Sequence, residues 1–309
     1  MSIWWVKRKR LSKAALTALM IIIACTAVFI LRKNSEIPGS GPEIKVYFHR
    51  SKQVKAIPLE KYVIGVVLAE MPASFEIEAL KAQAVCARSY ALVQAYSPSD
   101  HPGRAHVCDD PNHCQAYVDP EKVSNAWRVI RIERAVKATR GQVLTYRGEL
   151  AVPYYHSCCG GRTASASEIW NRSVPYLTSV TCPCPDISPH RLKQFTFDVK
   201  QIADQLKIRT SSRLLKIEVA ERSASGRASK IRIGSYLVTG AAFRRALNLP
   251  STFLTITQQG SKVTVRCRGY GHGVGLCQYG ANRLAQEGYS YQSILFHYYH
   301  GTELCRLAY

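Results

Sequence analysis

The chain has 309 residues, 47% of them hydrophobic, which excludes a disordered or fibrous protein and allows two modest domains or one large one. Lys and Arg number 42 against 21 Asp and Glu, a formal net charge of +21. That balance bears on partners rather than fold, and it favours a polyanion: nucleic acid, an acidic membrane surface or an acidic cell-wall polymer.

Residues 14–31 (AALTALMIIIACTAVFIL) carry no charge. At about 1.5 Å per residue they span roughly 27 Å, close to the hydrocarbon thickness of a bilayer. Lys7, Arg8, Lys9, Arg10 and Lys13 precede the run, and only Arg32 and Lys33 follow it directly. The positive-inside rule sets the N-terminus in the cytoplasm and the rest of the chain outside. A cleaved signal peptide is the competing reading, but no small-x-small site follows the run, which favours a retained anchor. Export argues against a nucleic-acid binder, and no basic motif interleaved with aromatics supports one. The expected organisation is a cytoplasmic basic tail (1–13), a transmembrane helix (14–31), a turn-rich linker (32–43) and an exported α+β part.

In the exported part, IKVYF and QVKAI within residues 44–57 read as strands. Residues 59–70 (LEKYVIGVVLAE) repeat apolar positions at helical spacing, and Pro72 ends the helix. Ser74 is a candidate N-cap for a slim, Ala-rich helix running to about Tyr96. A Pro-, Asp-, His- and Cys-rich loop spans 98–120. A helix is expected at 121–138 and a hairpin at 142–156, turning at Arg147-Gly148. Residues 190–258 read as an inserted α+β subdomain, with a helix near 199–207, strands near 214–220 and 230–234, and a short helix near 240–247. It interrupts a core made of 44–189 and 259–309. A strand at 262–268, a Gly-rich loop at 269–280 and helices to about 299 complete the pattern. The predicted fold class is α+β, with mixed helices and mostly antiparallel sheet.

Three stretches carry candidate chemistry. Glu70 closes an apolar helix. Burial there raises a carboxyl's pKa, as a general acid near neutral pH requires, whereas an exposed helix-end glutamate would have no such role. Arg88 on the next helix is placed to orient it. In HPGRAHVCDDPNHCQAY (101–117), Cys108, His113 and Cys114 supply three soft ligands, with His101 or His106 as a fourth. Four such ligands make a closed, structural tetrahedral zinc site; a surface loop with a disulfide is the alternative. In GYGHGVGLCQYGA (269–281), glycines permit close approach to the backbone, and His272, Gln278 and Tyr279 are able to bind hydroxyls. The stretch matches neither a P-loop nor a dinucleotide fingerprint. His156-Ser157 invites a nucleophile reading but has no identifiable third group. Among the eleven cysteines, Cys158-Cys159 and Cys182-Pro183-Cys184 are able to bridge each other in an oxidising space.

At these motifs the chain resembles the stage II sporulation protein D family, also called the amidase-enhancer family. The matching stretches are YVIGVVLAEMPASFEIEALKAQAVCARSYAL, VCDDPNHCQAY, YYHSCCGGRT, RSASGR and CRGYGHGVGLCQYGANRLAQEGYSYQSILFHYYHGTEL. The likeness covers roughly residues 45–307. It implies a lytic transglycosylase acting on peptidoglycan glycan strands during engulfment, with Glu70 catalytic and Arg88, His156, Ser157, His272, Gln278 and Tyr279 lining the groove. It implies a structural zinc on His101, Cys108, His113 and Cys114, although His101 fits the family spacing only with one inserted residue. It also implies strands freed of stem peptides by an amidase partner, stage II sporulation protein P, and a membrane partner, stage II sporulation protein M. A glycan-binding module that stimulates an amidase without cutting is the alternative. His300 in place of a proline, and the vicinal Cys158-Cys159 pair with Cys182 and Cys184 as possible partners, depart from the family pattern.

Overall fold

The computed structural model describes residues 41–209 and 215–309. The anchor expected at 14–31 lies outside the described residues. Among the described residues no helix is long and apolar enough to cross a membrane.

The first layer is a three-stranded sheet. β1 (Glu43–Phe48) pairs antiparallel with β2 (Gln53–Pro58) and parallel with the short β3 (Val107–Cys108). α1 (Leu59–Glu70) follows β2 directly. Met71 is extended, at φ −125 and ψ 141, because the residue before a proline is disfavoured in the helical region. The helix therefore stops at Glu70, as the sequence predicts. α2 (Ile77–Ala95) begins two residues later than a Ser74 cap would place it. Its lead-in residue Glu76 donates its N–H to Asn282 Oδ1 (2.7 Å), so a distant side chain holds this entrance instead of a local hydroxyl. Alanines on several faces of α2 let neighbours approach closely, and the helix is buried along most of its length. α3 (Ala126–Ala138) starts at an Asn125 cap, five residues beyond the predicted 121.

β4 (Gln142–Tyr146) and β5 (Glu149–Leu150) form the expected hairpin, turning at Arg147-Gly148, and β14 (Glu303–Arg306) pairs antiparallel on the other edge of β4. The hairpin was expected to run to 156. Instead β6 (Tyr155–His156) leaves it and pairs parallel with β13 (Leu276–Cys277). α4 (Ala166–Trp170) carries a Ser165/Glu168 capping box.

The inserted region forms its own core. β7 (Lys193–Asp198), α5 (Val199–Gln205), β8 (Ile217–Arg222), β9 (Ala228–Ile233), β10 (Tyr236–Thr239), α6 (Gly240–Ala246), β11 (Leu254–Gln259) and β12 (Lys262–Cys267) make two antiparallel three-stranded sheets. Ile202, Ile231, Phe243, Val263 and Val265 are buried together between them. This core runs through Cys267, past the expected boundary at 258, because β12 is the central strand between β11 and β7. The chain returns through β13 into α7 (Gln278–Gln286) and α8 (Tyr291–Tyr298).

Arg88 is buried where α1, α2, the end of α3 and β4 meet. It is 0% exposed and forks onto Glu60 through Nε (2.9 Å) and Nη2 (2.7 Å). Nη1 donates to the Gln142 carbonyl (3.0 Å) and Nη2 to that of Val136 (3.4 Å). These bonds tie α1, α2, the end of α3 and β4 together. The groove-lining, Glu70-orienting role read for Arg88 is therefore corrected: its donors are spent on Glu60 and on the carbonyls of Ala84, Gln142 and Val136 inside the core. Breaking such a pair leaves a buried charge uncompensated. Arg88→Met should cost about 3–5 kcal/mol in urea unfolding, and Arg88→Lys should recover little, since an ammonium cannot make the fork.

Candidate active site and its flanking cysteine clusters

Glu70 sits at the last turn of α1, half-buried. What faces it is set by Gly65, one and a half turns earlier. A Cβ at Gly65 would lie 2.3 Å from the Tyr117 ring and 2.6 Å from the Val118 carbonyl, so only glycine lets the 115–118 segment lie against the helix. Val118 N–H donates to the Gly65 carbonyl (3.2 Å), and the Tyr117 ring stacks on Tyr62 at 5.6 Å and 7°. The segment thus laid down presents the Ala116 N–H to Glu70 Oε1 at 2.8 Å. Gln278, first residue of α7, lies close enough for its side chain to lower the carboxyl's pKa. Burial pushes the Glu70 pKa above the ordinary carboxylate value, and the Ala116 N–H and the Gln278 side chain oppose that shift. Among the described residues, no second carboxylate contributes to it. A carboxyl whose neutral form is favoured in this way is suited to donate a proton and to take it back.

Around it runs a polar web. Gln278 Nε2 reaches Gln83 Oε1 at 3.5 Å, and Gln83 Nε2 is buried without a protein partner. Tyr155 donates its hydroxyl to Gln115 Oε1 (2.8 Å), and Gln115 Nε2 donates to the Tyr62 hydroxyl (3.2 Å). An orphaned buried amide carries a desolvation cost, and such groups in a native fold call for an explanation such as a ligand or ordered water.

The β6–β13 pair sets the second half of the site. Its register places Leu276 opposite Tyr155 and Cys277 opposite His156. Gly275, at φ +70, makes this possible: a Cβ there would lie 2.0 Å from the Tyr154 carbonyl. His156 and His272 stand 5.4 Å apart between ring centroids. His156 Nδ1 contacts the Val274 carbonyl (3.1 Å), and its Nε2 is buried without a protein partner. His272 is clasped between the Tyr155 carbonyl (3.0 Å) and the Val274 N–H (3.1 Å). Burial depresses both imidazoles, His272 to about 4 and His156 well below its usual range, so both are neutral at pH 7. Ser157 and Tyr279 meet through the backbone, Tyr279 N–H donating to the Ser157 carbonyl at 3.1 Å. Of the six residues expected to line a groove, Gln278 alone affects the Glu70 pKa. His156, His272, Ser157 and Tyr279 gather on the β6–β13 side, and Arg88 belongs to the core.

Aromatic faces flank these groups. Trp170 is exposed and packs on Tyr154 (4.6 Å) and His272 (5.3 Å), while Tyr279 meets Phe75 edge-on (5.1 Å) and lies near His190 (5.9 Å). Sequence reasoning missed Trp170, His190, Gln83, Gln115 and the Ala116 N–H. Only Trp170, a lone large aromatic after a capping box, left a signal that could have found it.

The 98–120 loop brings His101, Cys108, His113 and Cys114 together, with one ligand atom of each within 4.8 Å of the others. Cys114 Sγ lies 3.4 Å from His101 Nε2 and 3.4 Å from His113 Nδ1, and Cys108 Sγ lies 3.6 Å from His113 Nδ1. His106 is elsewhere, its Nδ1 accepting the Lys45 N–H at 3.2 Å. Two imidazoles and two thiols at this separation fit a tetrahedral, zinc-type donor set. The cluster lies immediately before the 115–118 segment, so whatever fixes it also fixes the Ala116 N–H.

A family model described as "Stage II sporulation protein" matches residues 47–146. The chain is 32% identical over 283 residues to stage II sporulation protein D of Bacillus amyloliquefaciens, covering 87% of this chain and 82% of that one. It is 33% identical over 281 residues to the Bacillus subtilis protein of the same name, covering 88% and 82%. This chain belongs to the stage II sporulation protein D family. It is also 30% identical over 294 residues to the Bacillus subtilis "Amidase enhancer", covering 78% of this chain and 40% of that longer protein. Membership in the family makes the chain a sporulation protein, and Glu70, Ala116 and the 98–120 cluster all fall inside the family-model match.

Gly65→Ala should cost about 1–3 kcal/mol through overpacking against Tyr117. By displacing the Ala116 N–H it should raise the Glu70 pKa further, followed by NMR titration of a ¹³C-labelled glutamate carboxyl.

Proposed function

We propose that the chain is a membrane-anchored lytic transglycosylase that cuts peptidoglycan glycan strands during sporulation engulfment. The observation that carries this reading is Glu70: a half-buried carboxyl with a raised pKa, oriented by the Ala116 N–H, and unaccompanied by a second perturbing carboxylate among the described residues. Hydrolytic glycosidases use two carboxylates, one of them to handle water or form a covalent bond to the sugar. A transglycosylase needs one. Protonated Glu70 donates to the glycosidic oxygen between N-acetylmuramic acid and N-acetylglucosamine, and the bond from the muramic C1 to that oxygen breaks. An oxocarbenium-like centre forms, and the 6-hydroxyl of the same sugar attacks it. Glu70, now a carboxylate, takes the hydroxyl proton and is restored. The product is a 1,6-anhydro end, and no water is consumed.

Gln83, His156 and Gln278 supply neutral polar groups for sugar hydroxyls and acetamides, and Trp170 supplies an apolar face. The +21 charge suits an anionic wall. His101, Cys108, His113 and Cys114 would hold a structural zinc that fixes the loop leading to Ala116. Residues 14–31 would anchor the protein, with the catalytic part outside. By family analogy, stage II sporulation protein P would strip the stem peptides and stage II sporulation protein M would hold the assembly at the membrane. The likeness to a protein named amidase enhancer favours one other reading, a glycan-binding module that stimulates an amidase without cutting.

Glu70→Gln should retain glycan binding but lower release of anhydro-muropeptides by about 10²–10⁴-fold, the range typical of a lost general acid. Mass spectrometry of digested sacculi decides, and anhydro ends formed at the parent rate would reject the assignment. The first step needs protonated Glu70, so the parent rate should fall as pH rises through the raised pKa. Gln278→Leu removes an amide whose influence lowers this pKa, and should move the descending limb to higher pH. Cys114→Ser should remove one equivalent of zinc by elemental analysis and lower the melting temperature; an unchanged metal content would reject that site.

A further inference from the structure

The glycan chemistry leaves one buried cluster unused. Cys159, Cys182, Cys184 and Cys277 bring their sulfurs within 4.8 Å of one another, and none of the four is more than 7% exposed. They come from three separate stretches: the loop after β6, the Cys-Pro-Cys turn, and the junction of β13 with α7. All four are free thiols in the structure. Cys159 and Cys184 sulfurs lie 3.3 Å apart, far beyond a disulfide bond of about 2.05 Å. Zinc–sulfur bonds of about 2.3 Å place the sulfurs of a tetrahedral site roughly 3.8 Å apart, which matches a cluster of this size.

The surroundings are those of an anion. Cys277 Sγ accepts the N–H of Cys159 (3.3 Å) and of Gly280 (3.4 Å). The Tyr298 hydroxyl lies 3.1 Å from Cys182 Sγ. Cys277 is the N-cap of the nine-residue α7, so the positive end of that helix faces the sulfurs. Arg227 is buried and donates to the Cys159 carbonyl (3.0 Å), within electrostatic reach of Cys159, Cys184 and Cys277. Four thiolates on one divalent ion carry a net charge of −2, and amide donors, a helix N-terminus and a guanidinium are the groups that stabilise it.

We propose that Cys159, Cys182, Cys184 and Cys277 form a second, closed metal site that takes one zinc-type divalent cation as a four-thiolate complex, separate from the His/Cys set of the 98–120 loop. Binding displaces the thiol protons to solvent and involves no change of oxidation state. Cys158, whose sulfur lies 3.5 Å from that of Cys184, is left outside the set. The site would clamp the loop carrying His156 and Ser157 to the segment carrying Gln278 and Tyr279. It stands whether or not the chain cuts glycan.

The test is elemental analysis of the purified full-length protein. Cys184→Ser and Cys277→Ser should each remove one equivalent of zinc relative to the parent, Cys158→Ser should remove none, and Cys114→Ser should leave the four-thiolate equivalent in place. If the cluster variants do not fold, cobalt(II) added to metal-stripped Cys114→Ser protein provides the second readout. Intense near-ultraviolet sulfur-to-cobalt charge transfer, lost on adding zinc, supports the site. Metal content unchanged by both cluster variants overturns it. So does the absence of that absorption, or a non-reduced peptide map showing the four cysteines joined as disulfides.

Discussion

Much of this structure depends on two strands of two residues each. The parallel register that sets Tyr155 against Leu276 and His156 against Cys277 joins segments about 120 residues apart in sequence. A parallel pair cannot be closed by a short turn, so an intervening body must carry the chain around. Here that body includes the inserted core from Lys193 to Cys267, which is held back against the loop by Arg227 on the carbonyls of Cys159 and Arg162, and by Ser225 on Glu168. Two ladder positions are too few to fix a register alone. Tyr299 reinforces them, its hydroxyl donating to the Tyr154 carbonyl (2.8 Å) and accepting the Leu276 N–H (3.1 Å) from inside the core. The consequence reaches Glu70 in one step, because α7 begins at the end of β13 and its first residue is Gln278.

Glu70 is a balance of opposed influences. Complete burial would leave a permanently protonated acid unable to act as a base, while full exposure would leave a carboxylate unable to donate. The structure lies between these limits. Burial favours the neutral form, and the Ala116 N–H and the Gln278 amide favour the ion. Both donors arrive from outside the helix, on segments whose positions are set elsewhere: 115–118 by Gly65, and Gln278 by the strand pair. The acid therefore depends on the global fold rather than on its own helix.

This explains which parts were legible in the sequence. The end of α1 could be read because Pro72 acts on its immediate neighbour, and the Arg147-Gly148 turn because its chemistry is local. The convergence of His101, Cys108, His113 and Cys114 was partly legible, since a short loop forces its soft ligands together. The choice of His101 over His106 was not, because it depends on His106 accepting the Lys45 N–H from another strand. The partner of Arg88 was hidden for the same reason: Glu60 is 28 residues away, and nothing in the spacing prefers it to Glu70. β6 and β13 are too short to show an alternating pattern. The Ala116 N–H, a backbone group, has no sequence signature at all. The end of the insert was misjudged because β12, although next to the Gly-rich loop in sequence, is the middle strand of the inserted sheet.

The two sulfur-rich clusters occupy corresponding places. Each sits in a stretch with little regular secondary structure, and each adjoins a segment that touches the candidate acid or its flanking groups: Cys114 precedes Gln115 and Ala116, and Cys277 precedes Gln278 and Tyr279. Loops lose order cheaply, because few backbone bonds hold them. A donor that rides on a loop, as the Ala116 N–H does, must therefore be stiffened from behind, and a helix or broad sheet behind the 98–120 loop would have to displace the packing of Tyr117 against α1. Compact side-chain clusters impose the same restraint in less space. The Ala116 N–H on irregular backbone and Gln278 at the start of α7 each adjoin one of these compact clusters, and neither brings a second charge to the half-buried carboxyl.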